Sequence, residues 1–369
     1  MIRRALALTL PLVLAACATS TPPPPAAGDV TPAAPAPVTR PAGIALPQQP
    51  PERPVAPPEV VDPALPRATR EANFVDYTAR TYGIEPAAIR AVLAEARAQP
   101  RIVEIISRPA EAVRPWKDYR PIFLNDARIN GGVAFYRENR AALERIAAET
   151  GVPAEYIVAI IGVETQYGRN MGSYRVLDAL YTLAFDYPRR APFFAGELAQ
   201  LFALKKAEPQ LDITQLKGSY AGAMGMGQFM PSSYRLWAKD GDGDGRRDLL
   251  THRPDVFASI ANYFVVHGWQ RGQPVVARAE KDPNLPEWTP ENVEPVHSLA
   301  DIEARGYRPL RGEARRDGAT VINFEGAAGR EYWLGYGNFY VITRYNRSPM
   351  YSLAVHQLAQ AIRAGVDAR

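Results

Sequence analysis

A glutamate stands on the apolar face of a segment with helical spacing. Ile157, Ile160, Ile161 and Glu164 occupy positions i, i+3, i+4 and i+7, which form one face of an α-helix. Because burying an unpaired charge is costly, such a glutamate has a partner, lines a cleft, or stays protonated with a raised pKa. A general acid near neutral pH requires a raised pKa. Glu164 is therefore the candidate catalytic group; the alternative is a glutamate at a helix end that turns to solvent or pairs with Arg169.

A second group of residues has the spacing of a calcium-binding loop. Asp240, Asp242, Asp244 and Asp248 occupy positions 1, 3, 5 and 9 of an EF-hand loop, with a glycine at position 6 and Arg246 at position 7. Hard oxygen ligands on a flexible loop favour calcium over zinc, and the sequence shows no competing cluster of cysteine or histidine. We expect any bound calcium to have a structural role.

This loop departs from the EF-hand pattern at its end. Position 12 is Thr251 where a bidentate glutamate is expected, so the standard loop does not close. The positive charges of Arg246 and Arg247 lie inside the loop and would weaken cation binding. The alternative interpretation is a solvated acidic turn.

The elements that must position these groups are predicted to be mainly helical. Apolar residues at spacings of three and four predict helices over 74–82, 86–99 and 131–150, and again over 338–364. Between 274 and 333 the pattern changes to short β-prone pieces broken by proline, glycine and charge. The sequence therefore predicts a mainly α chain of the α+β type, with a small β-containing insertion in its core domain.

The N-terminus predicts export and a lipid anchor. Arg3 and Arg4 precede an apolar run over 5–16, which is shorter than the ~20 residues of a membrane-spanning helix and typical of a secretory signal. The run ends in Leu-Ala-Ala-Cys17, which resembles the lipobox of bacterial lipoproteins, where the signal is removed before a cysteine that is then acylated. Because Ala18 is not the aspartate linked with inner-membrane retention, we expect an outer-membrane lipoprotein of the bacterial cell envelope that faces the periplasm. An ordinary signal peptide with a chance cysteine is the alternative.

Composition limits the remaining possibilities. The chain has 369 residues, of which 47% are hydrophobic, so it can bury a sizeable core. Its 43 basic residues fall to 41 without Arg3 and Arg4, against 39 acidic residues, and this small surplus does not indicate nucleic acid binding. Cys17 is the single cysteine, which excludes an intramolecular disulfide.

A proline-rich segment follows the cysteine. Sixteen of the 35 prolines fall between residues 22 and 66. Such a composition favours extended polyproline II and predicts a semi-rigid spacer between the membrane and the folded part. A ligand for a proline-binding module is the other interpretation.

Several longer motifs resemble those of a known family. They are GVETQYG at 162–168, SYAGAMGMGQFMPSS at 219–233, ANYF at 261–264, HGW at 267–269 and NFYVITRYN at 338–346. With these motifs in order, the chain from about residue 70 to 366 closely resembles the membrane-bound lytic murein transglycosylase B family.

The resemblance implies a fold and a reaction. It implies a lysozyme-like helical core with an N-terminal helical domain and a small inserted β domain. It also implies cleavage of the β-1,4 bond between N-acetylmuramic acid and N-acetylglucosamine in peptidoglycan glycan strands, with formation of 1,6-anhydromuramoyl ends and no cofactor required for the chemistry. The predicted organisation is a signal peptide (1–16), the lipidated cysteine and linker (17–68), an N-terminal helical domain (69–150), the first part of the core (151–272, with the loop 240–255), the β insertion (273–335) and the last part of the core (336–369).

The residue types agree with that chemistry. Many glycosidases place two carboxyl groups around the scissile bond. The run 219–233 contains no carboxylate; it offers the hydroxyl of Ser219 and the amide of Gln228, which suit sugar hydroxyl and acetamido groups. In the mechanism that the resemblance implies, Glu164 protonates the leaving oxygen, the muramoyl acetamide supports the cationic centre, and Glu164 then deprotonates the O6 hydroxyl of the sugar.

The resemblance also implies roles for further residues. Ser219 would bind the acetamido group, and Gln228, Tyr263, Tyr345 and Asn346 would line the cleft. The alternative for these residues is structural, with the glycine-rich run as a packing turn and the tyrosines as core aromatics. Similarity to the family also suggests that Asp255 closes a longer metal loop.

Two other functions remain open from the sequence. A lysozyme-type muramidase would use water in the second step and produce reducing ends. A non-catalytic peptidoglycan-binding lipoprotein on the same fold would tolerate loss of Glu164. The sequence indicates no protein partner.

Overall fold

The structure is a computed structural model that describes residues 55–107, 114–310 and 318–368. The predicted signal peptide, Cys17 and most of the predicted linker lie outside these residues.

Helices make up most of the described chain. The α-helices are α1 Pro58–Val61, α2 Arg67–Tyr82, α3 Pro86–Glu95, α4 Pro100–Ser107, α5 Trp116–Phe123, α6 Asp126–Glu138, α7 Arg140–Thr150, α8 Ala154–Thr165, α9 Val176–Asp186, α10 Ala191–Ala207, α11 Pro231–Trp237, α12 Arg253–Val266, α13 Leu299–Ala304, α14 Gly337–Tyr345 and α15 Pro349–Asp367. The strands are β1 Tyr174–Arg175, β2 Lys217–Gly218, β3 Val276–Lys281, β4 Tyr307–Pro309, β5 Thr320–Gly326 and β6 Gly329–Gly335. The predicted mainly helical class is confirmed.

The predicted β insertion is a four-stranded antiparallel sheet in the order β4-β3-β6-β5. Strands β5 and β6 form a hairpin whose register runs from Thr320 opposite Gly335 to Gly326 opposite Gly329. One face of the sheet covers a small hydrophobic cluster of its own, which is separate from the main core. The sheet is also joined to the main core, because Ile322 of β5 is buried in that core and the ring of Phe324 stacks on Trp116 of α5.

Helix α8 lies at the centre of the main core. Its residues Ile157, Ile160 and Ile161 are fully buried, and α15, α6 and α7 pack around it. The N-terminal helices contribute to the same cluster, through Phe74 of α2 and Ile89 of α3 among others. The helix that carries Glu164 is thus held from several sides, which limits its movement.

The predicted helix over 86–99 ends earlier than expected, at Glu95. The backbone N–H groups that follow are taken by side chains of α9: that of Arg97 donates to Asp178 Oδ1 at 2.8 Å and that of Gln99 to Thr182 Oγ1 at 2.9 Å. These tertiary hydrogen bonds replace the helical ones, and a new helix starts at Pro100.

The predicted helix over 131–150 is divided in two by Asn139. The side-chain amide of Asn139 donates to the carbonyl of Phe135 at 2.7 Å, and its oxygen accepts a hydrogen bond from Arg253. Asparagine competes in this way with the helical hydrogen-bond pattern, so α6 ends and α7 begins at this residue.

Helical structure is present before the predicted end of the linker at residue 68. Helix α1 starts at Pro58, and Val60 is fully buried in the main core. The backbone N–H of Ala56 donates to the carbonyl of Pro192 at 2.9 Å. The described end of the proline-rich segment, from residue 55, is therefore packed against the protein through Ala56, Val60 and Val61, beside α10.

Among the described residues, no single helix is long and apolar enough to cross a membrane. Helices α7 and α8 meet the criteria of length and composition only when taken together, and they meet at a bend of 115°.

Candidate active site

The chain reverses directly after Glu164. Helix α8 ends at Thr165, and Gln166 and Tyr167 adopt left-handed backbone conformations with φ of 51° and 63°. In the described residues the third non-glycine residue with positive φ is Gln228, in the glycine-rich run. Such conformations cost roughly 1–3 kcal/mol each and persist where surrounding contacts hold them. All three residues therefore mark one region under conformational constraint.

The contacts that hold this turn can be identified. The Tyr167 hydroxyl donates to the carbonyl of Arg128 on α6 at 2.6 Å. The ring lies so close to Gly162 that a Cβ added there would be 2.7 Å from the hydroxyl oxygen. A glycine two residues before Glu164 is thus required for the turn to fold back on its helix.

The Glu164 carboxyl is enclosed by tyrosines. Tyr351 of α15 donates a hydrogen bond from its hydroxyl to Glu164 Oε1 at 2.6 Å. Burial raises the pKa of Glu164 to about 7, and the hydrogen bond from Tyr351 offsets part of this rise. The side chain keeps intermediate exposure, so it remains reachable. Within the described residues, no second carboxylate is among the groups that shift its pKa.

Two further tyrosines lie in the electrostatic range of this carboxyl. Burial raises the pKa of Tyr345 and Tyr119 above the ordinary value, and the negative charge of Glu164 adds to both shifts. Both hydroxyls therefore stay protonated at neutral pH and keep a proton that they can donate.

The glycine-rich run is tied to the end of α8 by Thr165. Its hydroxyl donates to the carbonyl of Met226 at 2.9 Å and accepts from the N–H of Gly168 at 3.1 Å. Gly225 has a φ of 72°, and a Cβ there would lie 2.3 Å from the carbonyl oxygen of Leu249. The hydrogen bond of Thr165 therefore holds the run at the end of α8, and Gly225 packs its backbone against Leu249 at the end of the metal loop.

Within the residues that the structure describes, Ser219 and Gln228 each keep one polar function without a hydrogen-bond partner. Ser219 Oγ accepts a hydrogen bond from the N–H of Ala223 at 3.0 Å, which leaves its own proton available. The Gln228 amide nitrogen donates to the carbonyls of Met171 and Gly225 at 3.2 and 3.0 Å. The side-chain oxygen of Gln228 is thus the part that can accept from a ligand, and both residues are half-buried.

The other three predicted cleft residues are placed differently from one another. Tyr345 is half-buried and donates to the carbonyl of Gly227 at 2.6 Å. Tyr263 is only 3% exposed, donates to the carbonyl of Arg344 at 2.7 Å and packs its ring against Tyr345. Asn346 is exposed at the end of α14. Tyr263 therefore supports Tyr345 from inside the protein, whereas Tyr345 and Asn346 are accessible.

Sequence reasoning did not identify Tyr351, Tyr119 or Thr165. Tyr351 belongs to a segment predicted as helix, but it lies 187 residues from Glu164 in the chain, and no local pattern marks it. Thr165 follows Glu164 directly in the motif at 162–168, and a hydroxyl at a helix end is the sequence signal that marks it.

The predicted metal loop brings carboxylates together. Ligand oxygens of Asp240, Asp242 and Asp244 lie within 4.8 Å of one another. The carboxylate of Asp240 accepts hydrogen bonds from the backbone N–H groups of Gly243 and Gly245, and these bonds hold its pKa below the ordinary value. This set of hard oxygen donors fits calcium.

Asp255 closes the base of the loop. It is fully buried at the start of α12, and its two oxygens accept from the backbone N–H groups of Gly241 and Asp248 at 2.7 Å each. The carboxylate of Asp248 points the other way and accepts from the N–H groups of Leu250 and Thr251. Asp248 thus holds the turn that ends the loop.

A single histidine lies beside the carboxylates of the loop. Nε2 of His252 is 2.9 Å from Oδ2 of Asp242, and these two residues with Asp255 form a second group of close ligand atoms. The N–H of Arg246 donates to Asp244 Oδ1 at 2.8 Å, so Arg246 is part of the loop through its backbone.

Comparison with known proteins agrees with this geometry. A family model described as the transglycosylase SLT domain matches residues 67–360. The membrane-bound lytic murein transglycosylase B of Escherichia coli K12 is 39% identical over 300 residues, which cover 79% of this chain and 81% of that protein.

Solved structures show the same fold. The soluble lytic transglycosylase SltB1 from Pseudomonas aeruginosa has 50% sequence identity and a TM-score of 0.76, over 80% of this chain and 99% of that one. The Escherichia coli lytic transglycosylase Slt35 in complex with calcium has 38% identity and a TM-score of 0.73, over 80% and 93% of the two chains. The expected lysozyme-like fold is confirmed. Because the family model covers most of the chain and the motifs occur in the order that the resemblance required, the protein belongs to the SLT-domain family of lytic transglycosylases.

Proposed function

We propose that this protein is a peptidoglycan lytic transglycosylase that cleaves the β-1,4 bond between N-acetylmuramic acid and N-acetylglucosamine and leaves a 1,6-anhydromuramoyl end. The observation that carries the proposal is the environment of Glu164: a carboxyl with a pKa of about 7, bonded to Tyr351, without a second carboxylate among the described residues that shift its pKa. The names of the relatives, which refer to murein and to lytic transglycosylases, support the substrate and the reaction.

Both steps of the reaction use the same carboxyl. At neutral pH a large fraction of Glu164 is protonated, and its proton passes to the glycosidic oxygen as the bond from that oxygen to the muramoyl anomeric carbon breaks. The muramoyl acetamide oxygen supports the cationic carbon. The O6 hydroxyl of the same sugar then attacks this carbon, and the Glu164 carboxylate takes the O6 proton. The enzyme returns to its starting state, and no water is consumed.

The surrounding residues assist these steps. The Tyr351 hydroxyl stabilises the carboxylate that forms when Glu164 loses its proton, since hydrogen bonds to the charged form favour it. We assign the free proton of Ser219 to the acetamido carbonyl, and the side-chain oxygen of Gln228 to a sugar hydroxyl or amide. Tyr345 and Asn346 line the cleft, and Tyr263 supports Tyr345 from behind.

We assign a structural role to calcium in the loop 240–255. Asp240, Asp242, Asp244 and Asp255 with the backbone carbonyl of Arg246 would hold the ion, and Asp248 holds the end of the loop. The Slt35 structure contains calcium, which supports this assignment. No step of the catalytic scheme uses the ion, so calcium acts by stabilising the folded conformation of the loop.

We place the protein in the bacterial cell envelope, as an outer-membrane lipoprotein anchored through acylated Cys17. A relative named as membrane-bound supports the envelope location. In this arrangement residues 17–54 and the beginning of the described chain connect the anchor to the N-terminal helical domain, and the catalytic core at 151–272 and 336–369 carries the β domain at 273–335 as an insertion.

Product analysis of digested peptidoglycan tests the proposal. Sacculi are incubated with the wild type, Glu164→Gln and the matched control Glu155→Gln, which changes a half-buried glutamate at the other end of α8. The wild type and the control should release muropeptides lighter by one water than hydrolysis products, and Glu164→Gln should lose several orders of magnitude in rate while it remains folded.

Other outcomes would contradict the proposal in different ways. Reducing ends from the wild type would identify a muramidase. Binding to sacculi with no release of fragments would identify a non-catalytic binding protein. If the activity of Glu164→Gln stays within tenfold of the wild type, Glu164 is not the catalytic acid and base.

A further inference from the structure

Helix α5 lies between the inserted sheet and the groups around Glu164. It packs on β5 of the sheet and on α15, the helix that carries Tyr351. Its residue Tyr119 is half-buried and lies in the electrostatic range of Glu164. Helix α5 is therefore the element through which the sheet can influence the surroundings of the Glu164 carboxyl.

A column of four aromatic rings runs from the sheet along α5. The Phe324 ring of β5 stacks on Trp116, with centroids 5.3 Å apart and planes at 21°. Trp116 stacks in turn on Tyr119 at 6.3 Å, and Tyr119 packs against Phe123 at 5.2 Å. The three rings of α5 share one face of the helix because they are three and four residues apart. The Tyr119 ring is thus held between a neighbour on each side.

The aromatic column is attached at both ends. At the sheet, an ion pair between Lys117 and Glu325 joins α5 to β5. At the other end, the guanidinium of Arg128 lies 5.3 Å from the centre of the Phe123 ring and donates to the carbonyl of Gly162 on α8. The aromatic column therefore connects the sheet to the helix that carries the proposed acid and base.

Ring packing, and not hydrogen bonding, sets the orientation of the Trp116 indole. Trp116 is only 1% exposed, and in residues 55–107, 114–310 and 318–368 its Nε1 has no hydrogen-bond partner. An unpaired buried donor is costly, so it persists where the packing around it contributes more than the missing hydrogen bond would. The indole therefore depends on Phe324 on one side, and Tyr119 depends on the indole.

The Tyr119 hydroxyl is a donor without an acceptor. Among the residues that the structure describes, none accepts a hydrogen bond from it, and burial together with the charge of Glu164 raises its pKa, so it keeps its proton. The hydroxyls of Tyr351 and Tyr345 differ, because they already donate to Glu164 and to the carbonyl of Gly227. Of these three tyrosines, Tyr119 is the one whose proton remains for the substrate.

We propose that the inserted sheet positions Tyr119 for catalysis, with Phe324 and Trp116 as positioning residues. Tyr119 donates a hydrogen bond to the substrate beside Glu164, and the stacked rings fix the direction of that bond. The inference rests on the proposed function and adds to it a role for the sheet. Such support matters because a misplacement of about 1 Å can cost roughly a hundredfold in rate.

A double-mutant cycle tests whether the sheet acts through Tyr119. Phe324→Leu keeps an apolar side chain but loses the stacked ring, and Tyr119→Phe loses only the hydroxyl. Since a neutral hydrogen bond or an aromatic pair contributes about a factor of two to ten, we expect kcat/KM on glycan strands to fall about fivefold in each single variant. The double variant should also lose about fivefold and not about 25-fold, because the hydroxyl that Phe324 positions is already absent.

Two further variants separate positioning from stability. Tyr332→Leu is the matched control, because it removes a ring of the same sheet that packs against Tyr307 in the separate cluster. Its kcat/KM should stay within about twofold of the wild type even if its melting temperature falls as far as that of Phe324→Leu. Phe324→Trp keeps a stacked ring and should recover most of the activity that Phe324→Leu loses. All variants are assayed below their melting temperatures.

The outcomes distinguish this inference from the proposed function. If the losses multiply to about 25-fold in the double variant, Phe324 does not act through Tyr119 and the inference is wrong. Full activity of Tyr119→Phe would show that its hydroxyl does not contact the substrate, which overturns the inference as well. If the wild type forms no anhydro products, the proposed function itself is wrong.

Discussion

The pKa of Glu164, on which its proposed catalytic role depends, is set by two opposed influences on the carboxyl. Enclosure by α8, α15 and the tyrosines removes water that would stabilise the charged form, whereas the hydroxyl of Tyr351 stabilises that form by donating to it. The first influence is larger, and the pKa rises to about 7. A group in this range can both give and take a proton at neutral pH, as a single acid and base must.

Replacing Tyr351 by phenylalanine should shift the pH dependence of cleavage. The change removes a hydrogen bond to the carboxylate, so the pKa of Glu164 should rise and the alkaline limb of the kcat/KM profile should move to higher pH. The maximal rate should fall about tenfold, because the newly formed carboxylate loses its donor. Tyr181→Phe, which removes a similar bond to Glu71 away from the site, is the matched control and should leave the profile in place.

Glu164 should also make stability depend on pH. An unfolded glutamate ionises near pH 4.3, whereas the folded one keeps its proton up to about pH 7. The folded state therefore binds more protons between these values, so its stability falls as pH rises through this window. Glu164→Gln lacks the group, and its free energy of unfolding should exceed that of the wild type by up to roughly 3 kcal/mol at pH 8 and by little at pH 4. Denaturant titrations at the two pH values measure this, and a constant difference would contradict it.

At the scale of elements, two loops meet because their backbones can approach closely. The turn after α8 holds Gln166 and Tyr167 in left-handed conformations, and the run opposite holds Gln228 in another. Thr165 links the two loops through the carbonyl of Met226. The Glu164 carboxyl and the Gln228 amide, which we propose as the catalytic and the ligand-binding group, are thus held relative to each other by the contact between the two loops.

The metal loop is the element whose stability should respond to a ligand. Three converging carboxylates repel one another, and calcium that binds only the folded state stabilises it by about 2.7 kcal/mol at a hundredfold excess over the dissociation constant. We expect the melting temperature of chelator-treated protein to rise by a few degrees with calcium and by less with magnesium. Asp240→Ala should abolish the rise, and the exposed control Asp76→Ala should keep it. If millimolar calcium leaves the melting temperature unchanged, the calcium assignment is wrong and the loop is an ordinary acidic turn.

At the scale of the whole molecule, a proline-rich segment joins the folded part to the predicted anchor. An extended chain of this composition spans ~3.1 Å per residue, so with the proposed anchor it would let the enzyme reach a glycan layer at some distance from the membrane. The core itself includes residues as early as Ala56 and extends through the N-terminal helices, so the described helices share one packed core to which the sheet is attached.

Loss of the anchor should release the protein. Cys17→Ser removes the thiol that would be acylated, and we expect the variant to move from the membrane fraction to the soluble fraction and to lose its partition into detergent, since lipid chains supply the membrane affinity. Ser20→Ala, three residues away, should fractionate as the wild type does. If Cys17→Ser associates with the membrane as strongly as the wild type, the lipoprotein assignment is wrong. This result would not affect the catalytic assignment.

The sequence by itself determined the features that local spacing encodes. The apolar periodicity of Ile157, Ile160 and Ile161 predicted the buried helix and showed Glu164 on its inner face, and the β-prone pieces around 274–277 and 319–324 predicted the inserted sheet. These features follow from contacts between near neighbours in the chain, which is why a pattern of three, four or two residues reveals them.

Only the tertiary structure decided which distant groups meet. Tyr351 reaches Glu164 because α15 packs on α8, and His252 reaches Asp242 because α12 begins beside the metal loop. The early end of α3 has the same origin, since side chains of α9 take the backbone N–H groups of Arg97 and Gln99. Such contacts depend on how whole helices pack, and the free energy that selects them is spread over many buried side chains, so no short stretch of sequence records them.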